Sequence, residues 1–72
     1  MRVRMEPDGT WIATSKRWQS YGCGATPEEA ISALMDAAKR LEEFLRTLPN
    51  PVPHLRRVID NIVADRERGA LR

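Results

Sequence analysis

The sequence predicts a small α+β domain: a three-stranded antiparallel meander packed by one long helix, plus a second, C-terminal helix. Three observations predict it. Short alternating segments separated by turn residues fill the first 24 positions. A helix-capping signal at Thr26 opens a long stretch with an apolar stripe. A proline-rich break at 49–53 then separates that stretch from a second, narrower stripe.

Val3 and Met5 alternate with Arg2, Arg4 and Glu6, the period-2 pattern of a strand with one wet face. Pro7-Asp8-Gly9 is a turn: Pro presets φ, Asp bonds its own backbone and Gly accepts positive φ. Thr10-Trp11-Ile12-Ala13-Thr14 follows at hairpin spacing, rich in β-branched and aromatic residues. Lys16-Arg17-Trp18-Gln19 reads as a polar connection, and Ser20-Tyr21-Gly22-Cys23-Gly24 as a short third strand weakened by two glycines.

Thr26-Pro27-Glu28-Glu29 is a capping box, with an N-cap Thr, Pro at the first helical position and Glu at the third. The helix it opens runs to about Leu48, where Pro49-Asn50-Pro51-Val52-Pro53 forbids continuation. Ile31, Leu34, Met35, Ala38, Leu41, Leu45 and Leu48 form its stripe, widened by Ala30, Ala33, Ala37 and Phe44. About 22 helical residues span roughly 33 Å, twice a five-residue strand at about 17 Å. The C-terminal half therefore overhangs the sheet, and Leu41, Phe44, Leu45 and Leu48 need another partner. Leu55, Val58, Ile59, Ile62 and Val63 supply it as a narrow stripe on a second helix ending at Gly69. That helix either folds back on the first or crosses to a neighbouring chain. The expected layout is a β-β-β-α module over 1–48, a linker over 49–54 and an amphipathic helix over 55–69.

With 72 residues, 42% hydrophobic and 31% charged, the chain has a globular composition. A domain of this size buries only about 60% of its unfolded surface and usually needs a staple or a second copy. Cys23 is the only cysteine and His54 the only histidine, so neither a disulfide nor a four-ligand zinc site is available. A homodimer is the expected remedy, with Leu41, Phe44, Leu45, Leu48, Leu55, Val58, Ile59, Ile62 and Val63 at its seam. A lone cysteine, no secretion signal and no apolar run long enough for a membrane span point to a cytoplasmic protein.

The net charge of +2 is concentrated in the tail, since residues 1–50 carry seven cations and seven anions. Nucleic-acid binding is neither required nor excluded by it. The sequence contains no recognisable catalytic constellation. His54 lies in the proline-rich linker, Cys23 reads as a small buried hydrophobe, Glu28 and Glu29 belong to the capping box, and Glu42 and Glu43 read as a solvated helix face. Gly22-Cys23-Gly24 lacks the lysine and the βαβ context of a phosphate-binding loop. The expectation is a non-enzyme with no cofactor and no metal. Lys16, Arg17, Trp18 and Tyr21 are the candidate partner-binding residues, because Trp and Arg are enriched at binding hot spots. The alternative for Trp18 is that it closes one end of the core.

Asp8-Gly9-Thr10-Trp11-Ile12-Ala13 followed by Gly24-Ala25-Thr26-Pro27-Glu28-Glu29-Ala30-Ile31 resembles the HicB-like antitoxin family over roughly residues 1–50. The resemblance implies a β-β-β-α sheet without a catalytic centre, which in that family usually binds a small messenger-RNA-cleaving toxin. The family's Pro-Gly element before the third strand is replaced by Arg17-Trp18-Gln19, and residues 55–69 give one helix where an operator-binding half would need more. Asp8-Gly9-x-Trp11-x-Ala13 with Thr26-x-x-Glu29-Ala30 is also similar to the arm-type DNA-binding domain of phage integrases. That resemblance implies a sheet inserted into the major groove and would give Arg4, Lys16, Arg17 and Gln19 base or phosphate contacts. The expected function is a non-catalytic, HicB-like protein–protein interaction module, antitoxin-like or a phage-encoded inhibitor. The alternative is a small DNA-binding accessory protein.

Overall fold

The computed structural model describes residues 1–50 and 52–71. Strands β1 (Arg2–Met5), β2 (Trp11–Ser15) and β3 (Ser20–Gly24) precede helices α1 (Pro27–Arg46) and α2 (Pro53–Glu67). The sheet order is β1-β2-β3, an antiparallel meander, as the alternation and turn signals predict. Ala13 stands opposite both Val3 and Gly22, which fixes one face of all three strands against α1.

Local chemistry accounts for the boundaries. Gly9 sits at φ +91° and donates to the Glu6 carbonyl, while the Asp8 carboxylate accepts from Thr10 N–H at 2.9 Å. The Thr26 hydroxyl accepts from Glu29 N–H at 3.1 Å, and the Glu29 carboxylate reaches back to Ala25 N–H at 3.0 Å. Pro53 opens α2, placing His54 in the first helical turn and not in a linker. After α2, Gly69 at φ +82° reverses the chain, so that Ala70 and Leu71 both donate to the Asp65 carbonyl.

Helix α1 packs chiefly on β3 and β2, with little over β1. The approach is close enough to explain a glycine that reads in the sequence as a mere weakness of the strand. A Cβ on Gly22 would lie 2.2 Å from the Leu34 nitrogen and 2.7 Å from the Ala30 carbonyl oxygen. Ala13, Ala30, Leu34 and Ala38 are buried at this contact.

Helix α2 folds back on α1 within the same chain. Leu45, Val58 and Ile62 are consequently buried in one continuous core with Trp18 and Leu71. This corrects the expected dimer seam: those three side chains are consumed inside the single chain. Leu41, Leu48, Leu55, Ile59 and Val63 remain half-buried, and Phe44 is exposed.

Candidate functional site

The uncovered face of the sheet is set by strand parity. Residues 3, 13 and 22 turn towards α1, so Arg2 and Arg4 of β1, Ile12 and Thr14 of β2, and Tyr21 and Cys23 of β3 turn away from it. They form two cross-strand rows, Arg4–Ile12–Cys23 and Arg2–Thr14–Tyr21. Lys16, just beyond β2, lines the same shallow hollow as Arg2, Arg4, Ile12 and Thr14. Tyr21 is 67% exposed. Arg4 leans on Glu6 at 3.1 Å along its own strand. Cys23 is exposed on this face and is not the small buried hydrophobe its context predicts, because α1 covers the opposite face.

Lys16 and Tyr21 therefore stand free, but the other two expected partner-binding residues do not join them. Trp18 is buried, and its indole Nε1–H donates to Asp65 Oδ2 at 2.6 Å. Arg17 donates to the same carboxylate through Nε and an η nitrogen, both at 3.0 Å. Arg68 donates to it from the next turn of chain, and Asn61 Nδ2 donates to the Arg17 carbonyl at 3.2 Å. The Arg17 hydrogen bonds, with help from Trp18 and Arg68, hold Asp65 down to about 2 against the opposing effect of its burial. Trp18 and Arg17 thus bind α2, and Trp18 closes the end of the core.

A second buried carboxylate lies nearby in the fold. Glu42, placed by sequence on a solvated face, accepts two bonds from Arg66 of α2 at 2.7 and 2.9 Å and two from Arg46 at 2.8 and 3.1 Å. The Arg66 contact, then that of Arg46, keeps its carboxyl below the ordinary carboxylate range. Both acids extend the buried stripes of their helices: Glu42 follows Leu34 and Ala38, and Asp65 follows Val58 and Ile62. An acid on the core side of a helix was a signal available in the sequence.

Other concavities include an open groove between α1 and α2, lined by Leu45, Leu48, Ile59 and Val63 with Arg46, Arg56 and Asp60, and a hollow along α1 beside Glu28, Ile31, Met35, Asp36 and Lys39. Among the described residues no three His, Cys, Asp or Glu side chains are grouped to hold a metal ion, and no helix is long and apolar enough to cross a membrane. No family model, curated protein or solved structure matches the chain.

Proposed function

We propose that the protein is a non-catalytic interaction module, HicB-like in its β-β-β-α portion, that uses the uncovered face of its sheet to bind a protein partner. Such a module serves as an antitoxin or as an inhibitor of a host or phage protein. The supporting observation is the make-up of that face: Ile12 and Thr14 run along its central strand, with the exposed Tyr21 on one flank and Arg2 and Arg4 on the other, and Lys16 beyond the end of β2. An exposed aromatic anchor beside apolar surface and a charged margin is the kind of patch on which protein interfaces concentrate their energy. The reading includes a homodimer formed through the α1–α2 groove, where Leu48, Ile59 and Val63 keep apolar surface in contact with solvent.

A second reading, binding of nucleic acid by the same face, is favoured by its three cations against the single acid Glu6. Salt and mutation separate the two. Immobilised wild-type protein and a Tyr21→Ala variant are exposed to host lysate and to a DNA duplex at low and high salt. A discrete protein retained by the wild type at high salt and lost on Tyr21→Ala supports the module. Retention of the duplex at low salt alone, lost on Arg2→Ala, Arg4→Ala and Lys16→Ala, replaces it with the nucleic-acid reading.

A further inference from the structure

The β1 edge of the sheet carries a recognition pattern of its own. Glu6 N–H donates to the Thr10 carbonyl at 2.7 Å, and the register pairs Arg4 with Ile12 and Arg2 with Thr14. Bonded and non-bonded pairs alternate in an antiparallel ladder, so the even residues of β1 spend their backbone groups on β2. The N–H and C=O of Val3 and Met5 consequently point outwards, along an edge that α1 hardly covers. Their side chains, 37% and 59% exposed, lie on the α1 side of the sheet. The side chains of Arg2 and Arg4 lie on the other side.

An added strand would thus meet four backbone groups, an apolar row above and, below, Arg2 and an Arg4 that shares its charge with Glu6. A second copy of this chain meets like charges in each of the two central registers, which makes it the competing occupant and not the favoured one. Antiparallel pairing of β1 with itself about Val3 sets Arg2 against Arg4 twice, whereas pairing about Arg4 sets Arg4 against itself but also Arg2 against Glu6 twice. Edge cations of this kind are a usual defence against self-pairing.

We propose that β1 is an acceptor edge for a strand of a partner protein in which acidic and apolar residues alternate, the acids facing Arg2 and Arg4 and the apolar residues lying beside Val3 and Met5. This rests on the proposed role as a protein-binding module and specifies how the partner is held. Strand addition takes its affinity from main-chain bonds and its specificity from the alternate side chains.

The test uses the full chain, isotopically labelled, and a synthetic eight-residue peptide alternating glutamate and valine. A peptide alternating lysine and valine is the control. The glutamate peptide is expected to shift the Val3 and Met5 amide signals and slow their hydrogen exchange, and to bind about tenfold better than the lysine peptide. Val3→Pro removes an outward N–H without touching the β1–β2 ladder and should weaken binding about tenfold. Arg2→Glu with Arg4→Glu leaves the backbone intact and should invert the preference between the peptides. No binding at millimolar peptide, binding indifferent to both variants, or a dimer of the chain that Val3→Pro dissociates overturns the proposal. Because the readout is at β1, it stands apart from Tyr21→Ala: a partner captured independently of Tyr21 removes the sheet-face reading and leaves the edge result as it is.

Discussion

The indole N–H of Trp18 is bonded at 2.6 Å to the carboxylate of Asp65, a residue 47 positions away. This contact joins the connection between β2 and β3 to the last turn of α2. Together with Arg66 on Glu42, it shows how α2 is held: by two buried carboxylates gripped by arginines, as well as by Val58 and Ile62.

Asp65→Ala should therefore destabilise the protein by about 3 kcal/mol, because the indole N–H is left unpaired in the core and Arg17 and Arg68 lose their anchor. Denaturant unfolding followed by tryptophan fluorescence measures this directly. A loss near zero would mean that α2 is held by its apolar side chains alone.

Acid should loosen the same joint. Asp65 is held at about 2, below its ordinary value of 3.8, so its contribution is complete above pH 4 and is lost as the pH falls towards 2. The shift corresponds to about 2 kcal/mol. Glu42, also lowered, adds in the same direction. Stability of the wild type should fall more steeply across this range than that of Asp65→Asn, and equal slopes would contradict the assignment.

Gly22→Ala should cost about 3 kcal/mol, since its new Cβ would meet backbone atoms of α1 that no rotamer change can move aside. Thermal unfolding monitored by circular dichroism gives the value. Wild-type stability in this variant would show that α1 sits further from β3.

Two isoleucines one turn apart should behave differently. Ile62 is fully buried in the single chain, so Ile62→Asp should unfold it. Ile59 lines the α1–α2 groove, so Ile59→Asp should leave a folded chain that no longer dimerises. Light scattering beside circular dichroism distinguishes these outcomes, and a folded Ile59→Asp dimer removes the groove as the interface.

Much of the fold is legible in the sequence because its signals are local. The Pro7–Gly9 turn and the Thr26–Glu29 capping box act within a few residues and appear where expected. The alternation of Val3 and Met5 does mark a strand, but both of its faces are exposed, because α1 hardly reaches β1. The candidate site was only partly legible. Lys16 and Tyr21 stand on the open surface, whereas Arg17 and Trp18 are taken up by Asp65, and Cys23 and Glu42 exchange the exposures expected of them.

The sequence by itself determined the order and type of the elements, because capping, turn geometry and hydrophobic period are short-range properties of the chain. Only the tertiary structure decided that α2 returns to α1, that Leu71 enters the core and that the face bearing Arg2, Arg4 and Tyr21 stays open. The physical reason is separation along the chain. A hot-spot tryptophan and a core tryptophan are the same residue until a carboxylate on a distant helix accepts the indole N–H, and the sequence around Trp18 contains no trace of Asp65.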